Sequence, residues 1–444
     1  MRSDARAILR LAVPALGALA AEPLYVLVDT AIVGHLGSTP LAGLAVAGTL
    51  LTTLVWLTNF LEYGTTGGVA RLFGAGRERE ALDVGVQATW LAVAVGLALT
   101  ALIEATADPA LRLIGGGDPA VHEQALSWIR VAALGAPFVC ITLAGQGWLR
   151  GVQDTFTPLV VVVAGNVVSA ALSAGLVYGA HLGIRGSAIA NAVAQSGSAA
   201  LFTVALLRRD VPFAPSWTRM RAQLTTARDL GIRTLAFLLA FSTATSVAAR
   251  MGPTTVAAHQ IAIQLWGFLA LVLDAIAIAA QAMVGAAVGA GRVDAARALT
   301  WRVFAWGAVT GAAFAVVLLA GWSAVPRLFT SDPSVIDATH AAWPFLALMQ
   351  PAAGAVFALD GVFIGAGDVT FMRNVTVVAG VCFYVPLSVV AYLAGLGLAG
   401  IWFGLTMFVA VRLCAGFLRI RGDAWLHAGL RQTPAATALQ HPAG

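Results

Sequence analysis

Long apolar runs without a single charge constrain this chain more than any other feature. Trp90 to Ile103 and Ala312 to Trp322 contain none. About 20 apolar residues cross a bilayer as a helix, and in hydrocarbon a helix pairs every backbone polar group internally. Of 444 residues, 59% are hydrophobic and 11% charged, whereas a soluble protein carries about 25% charged residues. No ordinary soluble core hides that much apolar surface, so the solvent of this chain is lipid.

The same reading removes several classes of function. The three cysteines, Cys140, Cys382 and Cys414, lie in or beside apolar runs. An odd, buried set argues against a disulfide framework, and no Cys/His spacing suits zinc. There is no Gly-x-x-x-x-Gly-Lys loop and no lysine at all, so ATP is not the expected energy source. No cofactor and no metal centre is expected. The net charge of +5 does not gather on one soluble face, so nucleic acid is not an expected partner. No cleavable signal stands out; the first apolar stretch, interrupted by Pro14 and Pro23, reads as a true span.

We read twelve spans at roughly 9–33, 41–70, 81–106, 121–149, 157–180, 186–207, 230–249, 255–287, 295–324, 334–363, 370–394 and 398–418. Arginines then sort by side. Of 26, 21 fall on one side and 4 on the other (Arg112, Arg185, Arg250 and Arg327), with Arg130 inside a span. The positive-inside rule places both termini in the cytoplasm, in keeping with a bacterial inner-membrane protein.

The chain also repeats itself. Gly37, Gly74, Gly76 and Arg77 recur 215 residues later as Gly252, Gly289, Gly291 and Arg292. Asp118-Pro119, Pro137, Gly151, Asp154, Gly183 and Gly186 recur at a spacing of 214, as Asp332-Pro333, Pro351, Gly365, Asp368, Gly397 and Gly400. Six spans per half is an even number, so both halves enter the membrane in the same direction. The expected fold is therefore all-α and integral to the membrane: twelve helices in two six-helix lobes related by a pseudo-two-fold axis along the membrane normal. The expected division is an N-lobe over 1–207, a cytoplasmic linker over 208–229, a C-lobe over 230–419 and a flexible cytoplasmic tail over 420–444. Such an architecture suits rocking of one lobe against the other around a central cavity.

Ionisable groups at bilayer depth are costly, by about 2.5–3.5 kcal/mol on insertion scales, and mark function by default. Asp29 sits inside the first span and reads as an ion or proton site, the alternative being a structural anchor. Glu22 precedes it by seven residues, on the same helical face. In span 2, Thr49, Thr52, Trp56, Asn59, Tyr63 and Thr66 recur every three or four residues and share a face. The repeat maps Asn59 onto Asp274 and Gln146 onto Asp360. Both lobes thus present polar groups at matched depth. Asn59 and Gln146 read equally as interhelical glue, whereas Asp274 and Asp360 point to function because charge costs more to bury. Span 5 adds Asn166, Ser169 and Ser173. His259 reads as a packed or capping residue; Arg130 reads as paired or snorkelling; Glu62 is left open between a gate residue and one merely near water.

At this point the residues resemble a known family. Tyr25-Val26-Leu27-Val28-Asp29-Thr30-Ala31-Ile32-Val33-Gly34-His35-Leu36-Gly37 is similar to the first-helix signature of multidrug and toxic compound extrusion (MATE) transporters. Ala257-Ala258-His259-Gln260-Ile261, followed by Leu273-Asp274 and Ala280-Gln281-Ala282, resembles helix 8 of the DNA-damage-inducible protein F branch. Gly361-Val362-Phe363-Ile364-Gly365-Ala366-Gly367-Asp368 is similar to the family's helix 10–11 turn. The resemblance runs to about residue 420.

It implies an antiporter, not an enzyme, that expels small organic and often cationic compounds in exchange for protons or sodium. The helix-1 aspartate, here Asp29, is the family's cation-coupling residue. The family often carries Asn and Asp four apart on helix 5; counting from Tyr178-Gly179, those positions are Ser169 and Ser173 here. A hard cation wants several oxygens, usually including carboxylates, while a proton needs one titratable group. Protons are therefore favoured over sodium. The implied coupling set is Asp29, Asn166, Ser169 and Ser173. The implied substrate cavity takes Glu22, Tyr25, Trp56, Asn59, Tyr63, Gln260, Gln264, Asp274 and Asp360, with Trp56 and Tyr63 suited to flat cations through cation–π contact. Two rivals stand. A lipid-linked oligosaccharide flippase of related fold would carry cationic residues deep in the cavity, and here only Arg130 is a candidate. An intramembrane enzyme needs a nucleophile with a base or metal in reach; His259 and Asp274 are separated by fifteen residues, roughly 20 Å along a helix, and form no dyad.

Overall fold

The computed structural model describes residues 2–114 and 117–431. Among these there are helices and no strand. In the first half they are α1 (Arg2–Gly34), α2 (Ser38–Trp56), α3 (Phe60–Gly74), α4 (Glu78–Ile114), α5 (Pro119–Ala133), α6 (Ala136–Gly151), α7 (Phe156–Ala174) and α8 (Ile184–Leu207). The second half has α9 (Trp217–Arg250), α10 (Pro253–Gly289), α11 (Val293–Ala320), α12 (Pro333–Leu348), α13 (Gln350–Ala366), α14 (Val369–Val377), α15 (Val385–Leu393), α16 (Gly397–Arg421) and α17 (Ala424–Arg431). A π-helical stretch, Gly175–Gly179, extends α7, and another, Val378–Tyr384, joins α14 to α15.

Ten of these helices or joined helices are long and apolar enough to cross a membrane, and twelve if each bent pair counts as one span. The bent pairs are α5 with α6, at 51°, and α12 with α13, at 52°. They are the same element in the two halves, each breaking next to Pro137 or Pro351. Proline removes a backbone donor and clashes with the preceding turn, which makes it the ordinary cause of such a kink.

The chain divides into two compact units. One holds Val13–Phe73 and Arg77–Ala227, and we call it the N-lobe; of the described residues the other holds 2–12, Gly74–Gly76 and 228–431, and we call it the C-lobe. Residues 208–227, expected as linker, therefore belong to the N-lobe. Gln87 fastens them: its side chain donates to the Ala214 carbonyl at 3.0 Å and accepts from Ser216 N at 2.8 Å. Arg219 adds a 2.6 Å bond to Asp83. The first part of the expected tail is the helix α17, with Trp425 and Leu426 buried and Asp423 paired to Arg297. Residues 432–444 lie outside the described residues.

Each lobe builds its interior with the same close helix contact. A methyl group on Gly147 of α6 would meet the Glu62 carbonyl of α3 at 2.7 Å, and one on Gly151 the Thr66 carbonyl at 3.0 Å. At the repeat positions in α13, a methyl group on Gly361 would overlap the Ala277 carbonyl of α10, and one on Gly365 would meet the Gln281 carbonyl at 2.5 Å. Two glycines four apart let membrane helices approach backbone to backbone. The caps repeat as well. Asp118 and Asp332 hold φ of −74° before α5 and α12, and each accepts from the backbone N–H two residues on. Bonds from the Ser334 hydroxyl and N–H hold the Asp332 carboxyl below the usual carboxylate range.

Candidate functional site

The N-lobe brings α1, α7 and α8 together through one line of polar side chains. Asp29 lies five residues before the end of α1 and is 5% exposed. Its carboxylate accepts from Ser173 Oγ of α7 at 2.9 Å, and from Ser187 Oγ of α8 at 2.8 and 2.7 Å on its two oxygens. One turn earlier on the same face, Tyr25 Oη accepts from Ser169 Oγ at 2.9 Å and from Asn191 Nδ2 at 3.2 Å. One turn later, Tyr178 Oη donates to the Ile32 carbonyl at 2.5 Å. The helical period sets this ladder: Tyr25 and Asp29 are four apart on α1, Ser169 and Ser173 four apart on α7, Ser187 and Asn191 four apart on α8. Each turn of one helix therefore meets one turn of the next two.

Of the four residues expected to form the coupling set, Ser173 touches Asp29 directly. Ser169 instead bonds Tyr25, which was expected in the substrate cavity. Asn166 faces Glu22, one further rung along the pair α1 and α7, and its Nδ2 has no hydrogen-bond partner among the described residues. Ser187 and Asn191 were not anticipated. The available signal was a pair of polar residues four apart in α8, among the several polar residues that helix carries. What the ladder offers chemically at Asp29 is a carboxylate among neutral hydroxyls, with a phenol one turn away and a second carboxylate, Glu22, two turns away: the hydroxyls can donate to Asp29 when it is charged or accept from it when it is protonated.

The expected polar stripe of span 2 does not run on one continuous helix. Helix α2 ends at Trp56 and α3 begins at Phe60, and the turn between them contains Asn59. Thr49, Thr52 and Trp56 are exposed on α2, Asn59 and Tyr63 are half-buried, and Thr66 is buried with its hydroxyl on the Glu62 carbonyl at 2.9 Å. Residues 57–59 form a turn within the apolar span Ser38–Gly74, which a uniform helical period could not register. On α10 the counterpart stripe is intact: Gln260 and Gln264 are exposed and Asp274 is half-buried along an unbroken helix.

Two buried ion clusters complete the picture. In the N-lobe, Glu62 pairs with Arg150 of α6, which also donates to Gln146 Oε1 at 2.9 Å. This pairing settles the choice left open for Glu62: it is a buried partner, 7% exposed. In the C-lobe, Asp360 accepts from Arg412 Nη2 of α16 at 2.8 and 2.6 Å and from Arg233 Nη2 of α9 at 2.6 Å. Asp360 was expected in the substrate cavity; its oxygens are taken by two guanidiniums instead. Arg130 lies 3.7 Å from Glu104 and is half-exposed, a loose pair. His259 is packed, 1% exposed, edge-on to Trp402 with Thr245 Oγ1 at 3.4 Å from Nε2. Among the described residues no group of three or more His, Cys, Asp or Glu could hold a metal ion.

Comparison with known proteins agrees with this architecture. The MatE family model matches residues 14–174 and again residues 230–390, one copy in each half. The chain is 34% identical over 426 residues to protein DETOXIFICATION 44, chloroplastic, from Arabidopsis thaliana, covering 93% of this chain and 81% of that one. It is 32% identical over 427 residues to DNA damage-inducible protein F of Escherichia coli (strain K12), covering 93% and 91%. A crystal structure of MATE in the bent conformation superposes with a TM-score of 0.87 at 24% identity, over 96% of both chains.

Proposed function

The chain belongs to the MatE family of multidrug and toxic compound efflux transporters, and from that premise we propose that it is a secondary active antiporter. In this reading it expels organic, often cationic, compounds in exchange for protons by alternating access, in a bacterial inner membrane with both termini cytoplasmic. The observation that carries the coupling is the environment of Asp29. Among the described residues its oxygens accept from the hydroxyls of Ser173 and Ser187. A sodium site needs several oxygen ligands and favours added carboxylates; this carboxylate has neutral company and needs only one proton to become neutral.

The proposed cycle follows from that ladder. Charged Asp29 holds α1 to α7 and α8 through charge-assisted hydrogen bonds, which are stronger than neutral ones. Protonation from outside weakens them, and α1, with Pro14 and Pro23 inside it, is free to change its curvature and its grip on Tyr25. Substrate leaves, the lobe changes access, and the proton passes inward. Glu22, Trp56, Asn59 and Tyr63 in the N-lobe, and Gln260, Gln264 and Asp274 in the C-lobe, are the proposed substrate contacts. Asp360 is omitted because its two arginines would repel a cation.

The test is dye efflux from proteoliposomes under an imposed pH gradient or an imposed sodium gradient. Asn at position 29 keeps size and hydrogen-bonding capacity but cannot titrate. Asp29→Asn should insert and fold as wild type and lose pH-driven efflux at least about tenfold, the size of one lost charge-assisted interaction. Wild-type efflux by this variant would make Asp29 structural. Efflux of the wild type driven by sodium alone would keep the site and change the ion.

A further inference from the structure

Helix α1 ends shortly after Asp29, and the last carbonyls of a helix need partners from outside it. Leu36 N turns to the Val33 carbonyl at 3.0 Å and does not continue the helical bond to Ile32. His35 covers the Ala31 carbonyl, with its backbone N at 3.3 Å and Nδ1 at 2.7 Å. The Ile32 carbonyl, three residues past Asp29, accepts instead from Tyr178 Oη at 2.5 Å. Tyr178 is 42% exposed and Asp29 5%. The hydroxyl therefore sits on the outer side of the carboxylate, at the end that the arginine count assigns to the outside.

Tyr178 reaches α1 because of the π-helical stretch in which it stands, Gly175–Gly179. An α-helix advances about 100° per residue, so a side chain five residues after Ser173 would point roughly 140° away from it. Ala180 N bonds the Gly175 carbonyl at 3.0 Å, five residues back, and this wider turn brings Tyr178 round to the side of α1. Ser173 and Tyr178 thus fasten two successive turns of α1. The C-lobe carries the same tyrosine at the repeat position, Tyr392. There the π-helical stretch, Val378–Tyr384, ends earlier, and Tyr392 stands on the α-helical α15. Val247, the counterpart of Ile32, lies within α9, and its carbonyl is already taken by Met251 N at 3.2 Å.

We propose that Tyr178 is a positioning residue for proton uptake: it latches the last turn of α1 over Asp29, and its release opens Asp29 to outer water. This inference rests on the proton-coupled reading of Asp29. The surroundings leave few other groups to respond to pH. Helices α2 and α7 carry no charged residue, and α8 carries Arg185, which is exposed. Helix α1 itself adds Tyr25 and Glu22 further in, and His35 follows its end. The latch is a bond between neutral groups, so pH acts on it through Asp29. Charged Asp29 grips Ser173 and Ser187 through charge-assisted bonds; once protonated it grips them less, and Tyr178 remains as the tie at the outer end.

Tyr178→Phe removes one hydroxyl from an exposed ring and should fold as wild type. Tyr392→Phe makes the same change where there is no carbonyl to hold. Hydrogen exchange of the full chain in nanodiscs reads the latch alone, whatever ion is coupled. Uptake of deuterium over residues 30–36 should be about threefold faster or more in Tyr178→Phe, the size of one neutral hydrogen bond, and unchanged in Tyr392→Phe. In proteoliposomes, the outside pH that gives half-maximal efflux should fall by about half a pH unit or more in Tyr178→Phe, because water reaching a carboxylate favours its charged form. Tyr392→Phe should keep the wild-type profile. The fall should persist when His35→Gln is added, which removes the other titratable group at that end. Unchanged exchange in Tyr178→Phe overturns the latch. Faster exchange with an unmoved pH profile, in a chain that Asp29→Asn inactivates, overturns the positioning role. Retained efflux in Asp29→Asn overturns the coupling reading and the positioning role with it, while faster exchange would still show the latch.

Discussion

At Asp29 of the N-lobe a carboxylate meets serines from two other helices; 215 residues later the C-lobe has Ala244. The rest of the ladder is replaced in the same way. Tyr25 becomes Ala240, Ser169 becomes Phe383, Ser173 becomes Leu387, Ser187 becomes Ile401 and Asn191 becomes Leu405. Ala240, Ala244, Ile401 and Leu405 are all within 1% of fully buried and belong to one apolar core. The glycine contacts of α6 on α3 recur as those of α13 on α10, so the helix packing is shared while the chemistry between helices is not. Even the ion clusters exchange places. Glu62 and Arg150 stand where the C-lobe has Ala277 and Ile364, and Asp360 stands where the N-lobe has Gln146. A duplicated scaffold thus needs only its small-residue contacts and caps; its buried polar groups are free to specialise, and at these matched positions the N-lobe places a carboxylate among hydroxyls where the C-lobe is apolar.

The comparison breaks most decisively if the two interiors can be exchanged. Ala244→Asp puts a carboxylate into the apolar C-lobe core with none of the serines that surround Asp29. An unpaired buried charge costs several kcal/mol, so we expect no folded protein on size-exclusion chromatography after detergent extraction. A monodisperse variant with wild-type Tm would mean the C-lobe core tolerates what we hold it excludes.

The ion clusters give the next largest effect. Glu62→Gln strands Arg150 in the N-lobe interior, and breaking a buried pair from one side costs about 3–5 kcal/mol. Arg233→Gln in the C-lobe leaves Asp360 with Arg412 and should cost far less. Thermal unfolding of the two variants side by side checks the order; equal losses would show that the surplus arginine is as structural as the balanced pair.

Within the ladder the effects are smaller and graded. Ser187 reaches both oxygens of Asp29 and Ser173 only one. Ser187→Ala should therefore slow pH-driven efflux more than Ser173→Ala, each bond to a charged group being worth about 1.5–3 kcal/mol. Initial rates of efflux in matched proteoliposomes decide it, and the reverse order would move the main partner of Asp29 from α8 to α7. The mildest prediction concerns the backbone. Gln153 holds φ of 64° where the repeat gives the C-lobe Gly367 at 81°. A side chain in the left-handed region costs roughly 1–2 kcal/mol, so Gln153→Gly should raise Tm slightly, partly offset by the freer unfolded chain. An unchanged or lower Tm would show that Gln153 is held there by its contacts.

Much of the architecture was legible in residue order because it rests on local rules. Charge-free runs announced helices in lipid, and the paired Asp-Pro steps and glycines at matched spacing announced a duplicated backbone. Gly37 and Gly252, at φ of 122° and 121°, adopt that backbone before α2 and α10. The turn at residues 57–59 inside span 2 was not foreseen, because a three-residue turn is invisible to a periodic count. Asp29 stood out by itself, since a carboxylate in an apolar run is costly wherever it points.

What the sequence could not determine was which faces meet. Helical period says that Tyr25 shares a face with Asp29, and Ser187 with Asn191, but nothing local joins positions 29 and 187. Hydrogen bonds reach about 3 Å, and the helices that carry these partners are placed by packing far along the chain. The same holds for Glu62 with Arg150 and for Asp360 with Arg233 and Arg412. The sequence by itself thus determined spans, the duplication and the costly carboxylate. Only the tertiary structure decided that Asp29 lies among serines while Asp360 lies between arginines, because the environment of a buried charge is set by neighbours that share no segment with it.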